Sequence, residues 1–257
     1  MSGRAWLAPV LVTTAVLVTW EAIVTAFHVR AVLLPGPTSI ARVLGTQAPL
    51  LAEHLWPTLY QIVVGFLLSL VGGVIVAVLI TYSEVVRRGV YPLIVVSQIV
   101  PKVAVAPLFV VWFGLGDLSR LLLAFLIAFF PIVINTTAGL TSVDDDIVRM
   151  ARAYMGSRGQ IFFKIRLPHA LPLIFAGMKI SITLAVIGVV VAEFVAAQRG
   201  IGYLIVMANG LLDTPLMMAA ITVLSVMGLA LYGAIAALER LVVYWQPQTE
   251  TPRGGFA

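Results

Sequence analysis

A chain of 257 residues that is 61% hydrophobic and 11% charged is too apolar and too sparsely charged for a soluble globular domain. It reads as an all-α integral membrane protein. The net charge of +5 does not point to nucleic acid, because the basic residues are separated by apolar spans and lack interleaved aromatics; the absence of cysteine removes disulfides, thiolate metal sites and cysteine nucleophiles.

Six segments approach the ~20 apolar residues needed to cross ~30 Å of hydrocarbon. The first, Trp6 to Phe27, follows Arg4 as a signal sequence would, but it is too long for a typical signal core and lacks a small-x-small cleavage site, so it reads as an uncleaved helix. A long connection, Val29 to Leu59, leads to a second span from Tyr60 to Ile80, in which Gly65, Gly72 and Gly73 are suited to close helix contacts. A short turn, Ser83 to Gly89, precedes the third span, Val90 to Val111. Pro92, Pro101 and Pro107 interrupt that span and flank Gln98 and Lys102. Broken helices at membrane depth are tolerated where freed backbone groups face protein or a water-filled cavity, so this segment reads either as the lining of a translocation path or as a kinked helix packed among others.

The fourth span runs from Leu118 to Leu140. A basic loop from Thr141 to Leu171 follows, then a fifth span from Leu173 to Ala196, a long connection from Ala197 to Leu216, and a sixth span from Met217 to Tyr244. Residues 1–257 thus read as one membrane domain.

The loop is punctuated as well as charged. Asp144, Asp145 and Asp146 complement the dipole of a first short helix, whose face carries Ile147, Met150, Ala151 and Tyr154 at i, i+3, i+4 and i+7. Gly156 suits a left-handed turn after that helix. Ser157 and Gln160 have the spacing of a capping box that starts a second helix with Ile161, Phe162 and Ile165 on its apolar stripe. Pro168 disfavours helix at Leu167, which predicts a turn before Pro172 opens the fifth span. A loop that merely retained charge on one side of the membrane would need no such shape.

Charge sets the orientation. With Thr141 to Leu171 and both termini cytoplasmic, that side holds ten basic residues (Arg4, Arg87, Arg88, Arg149, Arg152, Arg158, Lys164, Arg166, Arg240 and Arg253) against four outside (Arg30, Arg42, Arg120 and Arg199). Lys102 and Lys179 lie in or beside spans.

The stretch "RMARAYMGSRGQIFFKIRLPHALPLIFAGMKISI" resembles the cytoplasmic loop of ATP-binding-cassette importer permeases, whose motif is roughly E-A-A-x3-G-x9-I-x-L-P. Ala151 matches its first alanine, Gly156 its glycine, and Ile165, Leu167 and Pro168 its end. Met150 stands where glutamate is usual and Arg152 where the second alanine is usual. "LLPGPTSIARVL", "PKVAVAPLFVVWFGLG" and "AVIGVVVAEFVAAQRGIGYLI" extend the likeness over nearly the whole chain, toward permeases for nitrate, sulfonates, taurine and heterocyclic vitamin precursors.

The resemblance implies a type I importer permease fold in the inner membrane of a prokaryote. It implies a coupling helix in the loop, formed by Met150, Ala151, Tyr154, Gly156, Ser157, Ile165, Leu167 and Pro168, docking on an ATPase subunit. It also implies two ATPase subunits carrying ATP and Mg, a second copy of this chain, surrounding lipid and an extracytoplasmic solute-binding protein. No G-x-x-x-x-G-K-[ST] occurs in the chain, so no nucleotide cofactor and no enzyme activity are expected of it alone. The expected solute is a small anion such as a sulfonate, taurine or nitrate, or else a vitamin such as riboflavin or a hydroxymethylpyrimidine-type precursor.

An ion-coupled transporter or channel would need intramembrane ionisable groups. Lys102 and Glu193 are the candidates, lining the path or pairing structurally, while Glu21 and Lys179 lie close enough to helix ends to snorkel. No mid-membrane carboxylate pair supports ion coupling. His28, His54 and His169 are scattered without ligand spacing, so neither a metal site nor a catalytic group is expected.

Overall fold

The computed structural model describes residues 7–245, which leaves Arg4, Trp6 and Arg253 outside the described residues. Their secondary structure is entirely helical. Among the described residues, five helices are long and apolar enough to cross a membrane, or six if one broken pair counts as a single span.

Four of the expected spans are single helices: α1 (Leu7–Ala26), α3 (Ala48–Tyr82), α6 (Asp117–Thr141) and α11 (Thr214–Val242). The two long connections are not loops throughout. The first contains α2 (Pro37–Thr46) and the second contains α10 (Ile201–Gly210). Helix α3 begins twelve residues before its apolar run, because Leu51, His54 and Thr58 on its polar-flanked first turns are buried.

The third span is broken. Helix α4 (Glu84–Ser97) and α5 (Ala106–Phe113) are separated by the 3-10 turn Lys102–Val105. The expected turn at Ser83 to Gly89 is instead the start of α4: the Ser83 hydroxyl accepts from Val86 N at 3.4 Å, and Glu84 supplies the negative charge of the first turn. Pro101 has no N–H to continue a ladder, and the residue before it is driven out of the helical region, which explains a full break instead of a kink.

After the loop helix α7 (Asp145–Ala153), the chain does not turn at Pro168. Helix α8 (Arg158–Ile161) runs through a π segment, Phe162–Arg166, directly into α9 (Leu167–Ala196). The Leu167 N–H bonds the carbonyl of Phe162, five residues back. That wider turn removes the i−4 carbonyl clash that Pro168 would create in a regular α-helix. The continuous helix spans 39 residues.

Packing divides the chain into two units that interleave along the sequence. One comprises Met1–Val63, Ala106–Leu121 and Val189–Met227; the other comprises Val64–Val105, Leu122–Gly188 and Gly228–Ala257. The first is centred on α10, which is apolar all round and buries Ile201, Leu204 and Ala208 among Ile40, Leu51 and Leu216.

In the second unit, helices approach through small residues. A Cβ on Gly73 would lie 2.7 Å from Ile132 Cγ2, and one on Gly139 would lie 3.0 Å from the Ala170 backbone. Gly72 faces the Phe125 ring at 3.5 Å, so the glycine pair expected at a helix contact is at one. Ser69 and Ser181 donate to the carbonyls of Phe125 and Ala128 at 3.0 and 2.6 Å, adding hydrogen bonds where no hydrophobic driving force separates helix from lipid.

These contacts make opposite predictions for two glycines. Gly139→Ala must move backbone and should cost about 1–3 kcal/mol of stability, whereas Gly45→Ala, with nothing within 4 Å of the new Cβ, should be neutral or stabilising by about 1 kcal/mol. Thermal unfolding of the purified protein in one detergent checks both.

Candidate functional site

The loop between α6 and α9 is assembled from local rules, and most are those read from the sequence. Asp144 caps α7 by accepting from Asp146 N at 2.8 Å. The capping box is present: Gln160 N donates to Ser157 Oγ at 3.3 Å, and Ser157 N donates to Gln160 Oε1 at 2.9 Å.

The turn between the two helices differs from expectation. Met155, not Gly156, is left-handed, with φ of 63°. Gly156 N donates to Ala151 O and Met155 N to Arg152 O, both at 2.9 Å, which is the bond pattern of a Schellman motif with methionine at its left-handed position. Glycine is needed one residue later for a steric reason. A Cβ on Gly156 would stand 2.7 Å from Ala151 O.

The apolar stripe of α7 splits into two faces. Ala151 and the buried Val148 turn inward and pack with Val143, Ile161 and Ile165. Ile147, Met150 and Tyr154 point away, with Met150 58% and Tyr154 82% exposed. Leu167 is partly buried against Leu140, Ala170 and Ile174, and Pro168 sits in the first turn of α9. The loop candidates are therefore brought together on one short body with a buried back and an uncovered apolar front.

The path candidates have different surroundings. Lys102 Nζ lies 4.7 Å from the centre of the Phe130 ring and donates to Gln98 O at 3.4 Å, so it neighbours Gln98 in the broken span and stays partly exposed. Lys179, expected to snorkel, is paired with Glu239 at 2.8 Å.

Glu193 is a helix cap. It is 2% exposed; its Oε2 accepts from Gly202 N at 2.7 Å and its Oε1 from Thr58 Oγ1 at 2.8 Å. Thr58 Oγ1 in turn accepts from Ile201 N at 2.8 Å, and His54 Nδ1 accepts from Gly200 N at 3.1 Å, which requires the tautomer protonated on Nε2. Three successive N–H groups at the start of α10 are thus satisfied by three buried side chains. Gly200 has φ of 124° and its missing Cβ is where the Glu193 carboxylate sits. Glu21 does the same for α2, accepting from Thr38 N at 3.0 Å and Thr38 Oγ1 at 2.7 Å, instead of snorkelling.

Sequence reasoning set aside His54 and overlooked Thr58. The available signal was a glycine at each helix start, Gly36 and Gly200, with no capping side chain of its own.

Residues 69–244 match the family described as binding-protein-dependent transport system inner membrane components. The chain belongs to this family of permeases. A riboflavin transport system permease protein from Chloroflexus aurantiacus is 38% identical to this permease over 232 residues, covering 90% of this chain and 87% of the relative. A formylaminopyrimidine transport permease protein from Halalkalibacterium halodurans is 35% identical over 241 residues, covering 93% and 96%. A taurine transport system permease protein from Escherichia coli is 31% identical over 246 residues, covering 93% and 90%. In fold, the permease resembles a chain of the MetNI methionine ABC transporter in inward facing conformations, with a TM-score of 0.67 at 20% identity over 77% of this chain and 98% of that one.

If Glu193 and Thr58 serve the start of α10, Thr58→Val leaves Ile201 N–H without an acceptor and should cost about 1–3 kcal/mol, while Thr58→Ser keeps most of the stability. Thermal unfolding of the permease measures this. Equal stability of wild type and Thr58→Val would remove the capping role.

Proposed function

We propose that this permease is the membrane subunit of an ATP-driven importer, present as two copies with two ATPase subunits and receiving solute from an extracytoplasmic binding protein. ATP and Mg belong to the ATPase partners. Both termini and the α6 to α9 loop face the cytoplasm of a prokaryotic cell, the orientation favoured by the distribution of arginine and lysine.

The observation that carries the coupling role is the two-faced loop. Val148, Ile161 and Ile165 anchor it to its own unit, while Ile147, Met150 and Tyr154 remain uncovered beside it. An amphipathic helix with an uncovered front is suited to a hydrophobic groove on a partner. Met150 in place of the usual glutamate makes the contact here apolar. Ser157 and Gln160 hold the second helix at a fixed angle, so movement of a bound ATPase passes to α9 through a continuous helix.

Gly156→Val tests the transmission. The valine Cβ meets Ala151 O and must displace the turn, while the membrane helices are untouched. Uptake and solute-stimulated ATP hydrolysis should fall together in a complex that still assembles. Wild-type coupling in that complex would leave the loop a topological signal alone.

For the solute, Lys102 favours a small anion of the sulfonate, taurine or nitrate type. Its ammonium is held in the broken span by one carbonyl and one aromatic face, with no carboxylate partner among the described residues. The taurine relative agrees with this reading. A heterocyclic vitamin or precursor is the second reading, favoured by the names of the riboflavin and formylaminopyrimidine relatives. Lys102→Ala should lower transport of an anion without loss of assembly. Unchanged flux of the native solute in an intact complex would remove the anion argument and leave the importer reading standing.

A further inference from the structure

A basic cavity lies beside the uncovered front of α7. A cavity of about 480 Å³ is bounded by Thr81 and Tyr82 at the end of α3, Arg152 at the end of α7, Gly156 in the turn after it, and Arg158 and Arg166 across the junction of α8 and α9. Three arginines therefore border one space. None of them has a carboxylate within salt-bridge distance among the described residues, although Arg87, Arg88, Arg120, Arg149 and Lys179 all do.

Arg166 is fixed from two sides. Its guanidinium lies 5.7 Å from the centre of the Tyr82 ring and donates to Leu140 O at 3.5 Å. Thr81 spends its hydroxyl proton on Ala77 O at 2.8 Å, so its oxygen is left as an acceptor. Arg152 occupies the position where alanine is usual in the loop motif.

We propose that this pocket binds a phosphate-bearing anion between Arg152, Arg158 and Arg166. Guanidinium forks match phosphate oxygens bidentately, and three unneutralised cations around one cavity repel one another until an anion enters. The level of the pocket agrees with a lipid source. Tyr82 ends the membrane helix α3 and Arg166 immediately precedes α9, the depth at which basic side chains meet headgroups. A soluble phosphate has the same chemistry and would reach the pocket from the aqueous side. Arg152, Arg158 and Arg166 are distinct from Ile147, Met150 and Tyr154 of the uncovered α7 front, so binding is read on the permease alone, without its ATPase.

The test uses the full-length permease, stripped of endogenous lipid in neutral detergent. Phosphatidylglycerol, phosphatidylcholine and inorganic phosphate are added separately, and binding is read by native mass spectrometry and by the shift in unfolding temperature. Phosphatidylglycerol should bind and stabilise while phosphatidylcholine does not; an equal response to inorganic phosphate would support the same site with a soluble occupant.

Arg158→Gln should weaken binding about tenfold or more, as expected for loss of a charge-assisted contact. Arg158→Lys should restore part of it. Arg87→Gln combined with Arg88→Gln removes surface charge outside the pocket and should leave binding unchanged. If Arg166→Gln lowers stability too far to compare, Arg158→Gln and Arg152→Gln, on exposed side chains, still decide the matter. Binding by Arg158→Gln and Arg152→Gln equal to wild type, or loss of binding in the Arg87 and Arg88 variant to the same degree, would overturn the proposal, the first leaving the arginines to a carboxylate of a protein partner.

Discussion

Hydrocarbon offers a backbone no hydrogen bonds, so every helix end or break near the membrane must find its partners inside the protein. This constraint explains more of the permease than apolar burial does. Helices α2 and α10 both begin at a glycine that carries no capping oxygen, and each receives a glutamate from a long helix instead. The carboxylate meets the positive end of the helix dipole and fills the volume that a Cβ would occupy. Glycine and glutamate are thus two halves of one solution. Thr58 extends the carboxylate's reach by one residue, accepting from Ile201 while donating to Glu193.

The same accounting governs the loop, with local partners. The α7 end closes with backbone bonds to Ala151 and Arg152, the α8 start closes with the Ser157 and Gln160 box, and the π segment accommodates a proline that would otherwise end the helix. Left-handed Met155 stores about 1 kcal/mol of strain that glycine would avoid. Strain of that size is sustained because the bonds on either side over-determine the turn.

What was legible in the sequence follows from the range of the interactions. Spans appear as runs of apolar residues, and the capping box connects residues three apart, so both could be read directly. The sequence places Gly156 at the right turn but not its reason, because its necessity comes from the Ala151 carbonyl and not from its own φ. Pro168 looks like a stop in the sequence since periodicity cannot reveal a π turn upstream. The Glu193 cap was hidden more deeply: its partner Thr58 lies 135 residues away, and a lone acid in an apolar run looks the same whether it faces a path or a helix start. Hydropathy likewise missed α10, whose ten residues are too few to cross a membrane yet contribute much of one unit's core.

Cations divide by whether their charge is answered. Lys179 meets Glu239 and is held between helices as a structural pair. Lys102 meets an aromatic face and a carbonyl, which orient an ammonium without neutralising it. The distinction bears on the proposed anion path, because a neutralised pair presents little field, whereas an oriented charge without a carboxylate partner attracts anions and repels cations. Under the proposed anion reading the second arrangement suits release, since one weak, long-range attraction would guide an anion without the tight multidentate contacts that would retain it.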